Sequence, residues 1–315
     1  MISEAVNASI TATGIDTSTA LGGALHFFIY DTIKILLLLF VMISVIGVIR
    51  SYLPRQRIRK ILSGKKEGVG NIFASLFGTI TPFCSCSSIP IFMGFLEAGV
   101  PLGVTFSFLI TSPLVNEYLV VLMLGFFGIK ITALYVLFGL LVGIIGGIIL
   151  GRLKAEKYLE KDFQKPDGED KVYNNFQQRV QFGLNEATSI VKKLWLWILL
   201  GVGLGAVIHN LVPDAFVTNV LNSGGIFTIP LAVLIGIPFY ANCAAILPVA
   251  DALFQKGLSL GTALAFMMAT SALSLPEAII LRRAMKLKLI AMFFGIVAFG
   301  IVMVGFLFNL LEGIV

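Results

Sequence analysis

Apolar residues in this chain come in blocks too long for amphipathic elements. Ile35–Ile49 carries no charge, and Ile129–Leu150 carries only Lys130 at its start. Apolar runs of about 18 residues or more are read as membrane-crossing helices. The pattern predicts spans starting near His26 and over about 101–126, 129–151, 193–212, 259–281 and 287–311. Two further apolar stretches, 68–97 and 226–256, are interrupted. The first contains Pro82, Pro90 and the polar run Cys84-Ser85-Cys86-Ser87-Ser88; the second contains Pro238, Asn242 and Pro248. Proline lacks a backbone donor and crowds the preceding turn. Polar side chains can take up the freed backbone groups inside a membrane. Both stretches are therefore expected to be broken helices.

Charge sets their direction. Of the 23 basic residues, seven lie in Arg50–Lys66, nine in Arg152–Lys193 and four in Arg282–Lys288. The positive-inside rule puts all three clusters on the cytoplasmic face. Three full crossings between Lys66 and Arg152 would leave Arg152 on the wrong side. The stretch 68–97 is therefore read as a re-entrant hairpin entering from the cytoplasm. The same reasoning makes 226–256 re-entrant from outside and puts both termini outside. Composition agrees with a membrane protein: 57% of residues are hydrophobic, 13% are charged and mean hydropathy is +0.97, against about 25% charged in soluble domains. A soluble protein is excluded, and nucleic acid is not an expected partner. Residues 1–25 hold no Lys or Arg, so no signal peptide is expected.

The two halves also resemble each other. Thr81-Pro82-Phe83-Cys84 matches Ile237-Pro238-Phe239-Tyr240. Pro90, Gly99, Leu102, Gly103 and Phe108 match Pro248, Gly257, Leu260, Gly261 and Phe266. Thr111-Ser112 matches Thr270-Ser271, and Glu117 matches Glu277. Each half would hold three crossings and one hairpin, and an odd number of crossings inverts the second copy. The expected fold is an all-α polytopic membrane protein of two inverted repeats. The first repeat would occupy 1–152 and the second 192–315. Residues 153–191 would form a cytoplasmic linker, with an interfacial helix carrying Phe176, Val180, Leu184 and Ala187 at helical spacing. Inverted repeats with broken helices meeting near the midplane characterise secondary transporters.

The breaks hold the candidate chemistry. Cys84 and Cys86 can converge on one ligand in a turn, and thiolates suit soft metals and thiophilic metalloids. Cys243 lies in the partner break, next to Asn242. Tight metal coordination is not expected, because transport needs release. Glu117 and Glu277 are ionisable groups inside or near spans, a usual mark of proton coupling; Asn116 is a hydrogen-bonding neighbour. By count along its span, Glu117 is expected to be the deeper of the two. The binding set is thus Cys84, Ser85, Cys86, Ser87, Ser88, Asn116, Asn242 and Cys243, with Pro82, Pro90, Pro238 and Pro248 as helix breakers. His26 and His209 fall near span ends and are read as interfacial. No HExxH, GxSxG or Walker A pattern occurs, so neither an enzyme nor a cofactor is expected.

Pro82 to Pro90, Gly99-Val100-Pro101 and Thr111-Ser112-Pro113-Leu114-Val115-Asn116-Glu117 together resemble the predicted bacterial permeases of the YraQ/ArsP type. The resemblance runs from the first span to the last. It implies a multi-pass permease of the bacterial inner membrane. Some relatives export trivalent organoarsenicals, which would make Cys84 and Cys86 the substrate-contacting pair. The expected function is a secondary transporter for a small thiophilic solute, such as a trivalent organoarsenical or a sulfur compound, driven by protons. The expected partners are the lipid bilayer, the small-molecule or metalloid substrate and a second copy in a homodimer. Rival readings are a passive channel of the same architecture and an intramembrane thiol-redox enzyme.

Overall fold

The computed structural model describes residues 20–52, 68–80, 85–153, 155–160, 175–211, 225–238, 243–255 and 257–312. The described residues form helices and no strand, with one isolated bridge between Leu159 and Met285. The helices are α1 (Ala20–Tyr52), α2 (Val69–Ile80), α3 (Ser85–Glu97), α4 (Leu102–Leu114), α5 (Glu117–Phe126), α6 (Gly128–Arg152), α7 (Phe176–Leu211), α8 (Thr228–Gly236), α9 (Cys243–Gln255), α10 (Leu260–Ala272), α11 (Leu275–Leu281) and α12 (Leu287–Leu311). Among the described residues, four helical runs are long and apolar enough to cross a membrane: Leu102–Phe126, Gly128–Arg152, Leu260–Leu281 and Leu287–Leu311. Each coincides with a span expected from the sequence.

Two of those runs are not continuous, which corrects the expectation of unbroken spans. Leu102–Phe126 breaks at Val115, whose extended backbone (φ −134°, ψ 111°) ends α4 before Asn116 starts α5. Leu260–Leu281 breaks at Leu273 and Ser274, the latter also extended (φ −72°, ψ 147°). Local causes are visible in the chain. Pro113 removes a donor in the last turn of α4, and Pro276 sits at the start of α11, where its fixed φ suits a helix beginning. The stretch 176–187, expected as an interfacial helix leading into the next span, forms the start of the 36-residue α7. It packs along the last turns of α1: Gly183 lies against Ser44 and Val48, and the Arg179 guanidinium donates to the Ser51 carbonyl.

The core lies around α4 and α10. Every residue of these two helices is buried, although both are apolar on all sides and would suit a lipid-facing position equally well. Small residues allow their close approach to neighbours, the usual basis of helix association where lipid competes for apolar contact. A Cβ on Gly103 would lie 2.7 Å from the Gly147 carbonyl oxygen of α6. Its counterpart Gly261 stacks directly on the Gly305 carbonyl of α12. Likewise Gly78 of α2 sits 3.1 Å from the Phe108 carbonyl, and Gly236 of α8 sits 3.2 Å from that of Phe266, measured to a Cβ built on each glycine.

These contacts also locate the helix ends. The Asn71 amide of α2 donates to the Gly103 carbonyl (3.0 Å) and the Ser107 hydroxyl (2.8 Å) of α4. Gly103 meets Gly147 and Gly151 near the end of α6. The start of α2, the start of α4 and the end of α6 are thus at one level. In the second half Gly305 touches Ile229 at the start of α8, the Gly261 amide donates to Asn309 (2.8 Å), and the Leu260 amide donates to Glu312 (3.2 Å). The starts of α8 and α10 therefore lie beside the end of α12. The helices α6 and α12 run antiparallel, since Gly300 faces Val142 while Gly146 faces Ile296.

The bridge Leu159–Met285 and the bonds Glu160 N to Ala284 O (2.9 Å) and Lys286 N to Tyr158 O (2.8 Å) join the chain after α6 to the chain before α12. Arg152 and the Arg282–Lys288 cluster are thereby at the same end. Tyr158 lies between the ammonium groups of Lys157 and Lys288, 5.1 and 5.0 Å from its ring centre. A hydrogen bond with Lys288 is the main cause lowering its phenol pKa, with the nearby positive charges adding to it.

Candidate functional site

In the first half, α2 and α3, the latter with Ser85 and Cys86 in its first turn, pack against α4. The Ser88 hydroxyl, one turn into α3, shares a hydrogen bond of 2.6 Å with the Ser112 hydroxyl, one turn before α4 ends. Both are fully buried. Gly78, near the end of α2, is also beside Ser112. The break after Leu114 is level with Gly139, which faces Val115 and is the twelfth residue of the 25-residue α6. The first turn of α3 and the break in the long helix therefore lie side by side near the middle of a membrane-length helix. Pro90 inside α3 withdraws the donor that would serve the Cys86 carbonyl, so that helix starts with an extra free acceptor.

Each half reaches across to the other. Helix α5 packs on α9, and α11 packs on α3. Phe127 and Phe254 meet across the first of these contacts, with ring centres 6.2 Å apart. Helices α4 and α10 also touch.

The break of the first half closes its own polar groups. Thr111 donates to the Ser107 carbonyl (2.8 Å), and the Tyr135 hydroxyl of α6 donates to the Leu114 carbonyl (2.9 Å). Asn116 caps α5 by accepting from the Leu119 amide (2.8 Å). The second break differs. Ser271, Ser274 and Glu277 are buried around it, at 6%, 1% and 1% exposure. The hydroxyls of Ser271 and Ser274 have no hydrogen-bond partner among the described residues, and Ser274 makes no capping bond to α11.

Not every expected residue falls within the described structure. Pro82, Cys84 and Asn242 lie outside the described residues, as do the side chains of Ser85, Cys86, Ser87, Cys243 and Pro248. Of the expected set, Ser88 and Asn116 stand at the paired breaks as described. Pro238 follows directly on the residue that ends α8, and Pro90 is buried within α3.

The two glutamates are not counterparts. Helices α4 and α10 begin and end at residues 158 apart, as do α3 and α9. Carried through the breaks, that register pairs Asn116 with Ser274, Glu117 with Leu275, and Leu119 with Glu277. Exposure follows suit: Glu117 and Leu275 are exposed, whereas Leu119 and Glu277 are buried. Glu117 is the first residue of its helix and Glu277 the third. Two residues turn a helix by about 200°, so the side chains take opposite faces. Of the two, Glu277 is the one buried inside the protein. The same register pairs Ser112 with Thr270 rather than Ser271, and Cys243 with Ser85. Ser112, Ser271 and Ser274 were not singled out as site residues from the sequence. The motif Ser274-Leu275-Pro276-Glu277, a helix-start signal within a span, was the available clue.

A family model described as a predicted permease, ArsP_1, matches residues 20–310. The chain belongs to this permease family. Among its relatives, a protein of Streptococcus mutans named as a subunit of a two-component membrane permease complex is 25% identical over 254 residues, 79% of each chain. The protein YraQ of Escherichia coli is 26% identical over 264 residues, covering 82% of the permease and 73% of YraQ. YcgR of Bacillus subtilis is 22% identical over 268 residues, 83% and 89% of the two chains. No solved structure matches the permease.

Proposed function

We propose that the permease is a secondary transporter moving a small thiophilic solute, such as a trivalent organoarsenical or a sulfur compound, across the bacterial inner membrane. The observation that carries this reading is the Ser88–Ser112 hydroxyl pair, which ties the cysteine-bearing break of the hairpin to the break of a membrane-length helix near its middle. Interrupted helices at mid-depth line solute paths, because unpaired backbone groups survive there only inside protein or against water.

Two inverted repeats, each with a hairpin re-entrant from its own side, complete the proposal. It is supported by the common level of the starts of α2 and α4, by the matching arrangement of α8 and α10, and by the antiparallel run of α6 and α12. Solute would contact Cys84, Cys86 and Cys243 with Ser85, Ser87, Ser88, Asn116 and Asn242 around them. Coupling to an ion gradient would act through a membrane carboxylate. A proton is the simplest ion for that role, and burial favours Glu277 over Glu117.

The test is flux of a trivalent methylarsenical into vesicles holding the purified permease. Uptake should saturate and follow an imposed ion gradient. Cys84→Ser and Cys86→Ser should abolish it while leaving protein that elutes as the wild type. Unchanged uptake in both variants would remove the cysteines from the mechanism. Linear, gradient-independent flux would favour a channel. The name of the Streptococcus mutans relative adds one control, co-purification of a second subunit from native membranes.

A further inference from the structure

We propose that the basic cluster where α6 ends and α12 begins is a binding surface for anionic phospholipid, with Lys157, Tyr158 and Lys288 holding the headgroup phosphate. The surface is separate from the helix breaks and does not depend on which solute the permease moves.

Its position follows from two membrane-length runs. Helix α6 ends one of them at Arg152, and α12 starts another at Leu287. The two helices run antiparallel, and the bridge between Leu159 and Met285 fixes the end of one beside the start of the other. That is the level at which a bilayer's headgroups lie. A short turn, Ala155–Tyr158, follows α6. Ala155 and Leu159 are buried on one side of this clasp, and Ala284 and Met285 on the other.

Positive charge gathers there from two distant parts of the chain. Arg152, Lys157, Arg282, Arg283, Lys286 and Lys288 are all exposed. Glu156 and Glu160 are the acidic residues of the stretches 152–160 and 282–288, so the positive sign prevails. The ammonium groups of Lys157 and Lys288 both approach the Tyr158 ring, at 5.1 and 5.0 Å from its centre. The Lys286 amide donates to the Tyr158 carbonyl (2.8 Å), which holds Tyr158 at the start of α12. Two like charges brought to one ring repel each other. Helix α12 adds to that cost. Lys286 takes its capping position and no acid stands in its first turn, although the positive end of a helix dipole favours an anion. A phosphate between the two ammonium groups offsets both costs. The hydrogen bond with Lys288 that lowers the Tyr158 phenol pKa reflects the same preference for negative charge.

Apolar groups at the same level single out a lipid. Leu153, next to Arg152, is 49% exposed, and Leu287, between Lys286 and Lys288, is 65% exposed. A free phosphate would leave both against water, whereas an acyl chain covers them. Lysine meets phosphate as a point charge and arginine as a planar fork. Basic pockets between membrane helices hold anionic headgroups in this way. The plain alternative is a topogenic signal that only orients the chain. Such a signal needs basic residues along the loops. It needs neither two lysines from separate loops on one tyrosine nor exposed leucines beside them.

The test uses the purified full-length permease in a neutral detergent at constant pH and ionic strength. Phosphatidylglycerol should raise the unfolding temperature saturably, and phosphatidylcholine should not. Glycerol phosphate at the same concentration should have no effect; an effect equal to that of phosphatidylglycerol would show a free-anion site and overturn the lipid reading. Lys157→Gln with Lys288→Gln should raise the half-saturating phosphatidylglycerol concentration by about tenfold or more. Arg282→Gln with Arg283→Gln should raise it by less. Lys130→Gln, which removes an exposed charge at the far end of α6, should leave it unchanged. An equal response to the two lipids, as expected of a surface that serves a protein partner, would overturn the proposal. So would a phosphatidylglycerol response that survives the lysine pair's removal, or one that Lys130→Gln weakens to the same degree.

Discussion

The break after Leu114 and the break after Ala272 occupy corresponding places in two helices of identical length, and each interrupts a run long enough to span a membrane. In the first, hydroxyl, amide and carbonyl groups pair among themselves through Ser88, Ser112, Tyr135 and Asn116. In the second, Ser271 and Ser274 stay unpaired beside a buried Glu277. One scaffold thus carries a break whose described polar groups are paired, and another with two unpaired hydroxyls and a buried carboxyl. In a low-dielectric setting an unpaired polar group is costly. The contrast is between a break closed by its own hydrogen bonds and one that is not.

Seven substitutions test that contrast. The largest effect should come from the scaffold that both halves share. Gly261→Val drives a branched side chain into the Gly305 carbonyl and Gly103→Val does the same at Gly147; over-packing of this kind typically costs about 1–3 kcal/mol or more. Both variants should yield little folded protein by size-exclusion chromatography, and normal yield from either would show that the close approach is dispensable. Next, Ser112→Ala should destabilise by about 1.5 kcal/mol, because it removes the buried hydrogen bond to Ser88. Ser271→Ala, which removes an unpaired hydroxyl, should be neutral or slightly stabilising. Equal losses in thermal unfolding would erase the distinction between the breaks. Asn116→Ala should cost about 1 kcal/mol as a lost cap, whereas Ser274→Ala should cost almost nothing. Among the first-break substitutions the smallest effect should be Tyr135→Phe, at about 0.5 kcal/mol, which gives the first break the phenylalanine that stands in the second at Phe293.

Much of this was legible in the chain. Block hydrophobicity marked the runs 102–126, 128–152, 260–281 and 287–311, because lipid demands apolar residues on every face. Gly99, Gly103 and Phe108 kept their spacing to Gly257, Gly261 and Phe266. The breaks inside the long runs were missed for a physical reason. Val115-Asn116 and Leu273-Ser274 disrupt a helix without lowering hydropathy, so only the cap residues and Pro276 signal them. The pairing of Glu117 with Glu277 misled because equal residue types at a drifting spacing look like symmetry. Two residues of drift turn a side chain to the other face, and only the helix register reveals it. The partner of Ser88 was equally unreadable, since Ser112 meets it through tertiary packing.

The central claim is that the paired mid-depth breaks form a solute site open to each side in turn. Its most direct test is the reaction of Cys84 and Cys86, in a Cys243→Ala background, with a membrane-impermeant maleimide applied separately to right-side-out and inverted vesicles. The account predicts modification from both sides, slowed by a trivalent methylarsenical. Cysteines that react from one side only, or that react from neither in intact vesicles and are labelled after denaturation, would contradict it.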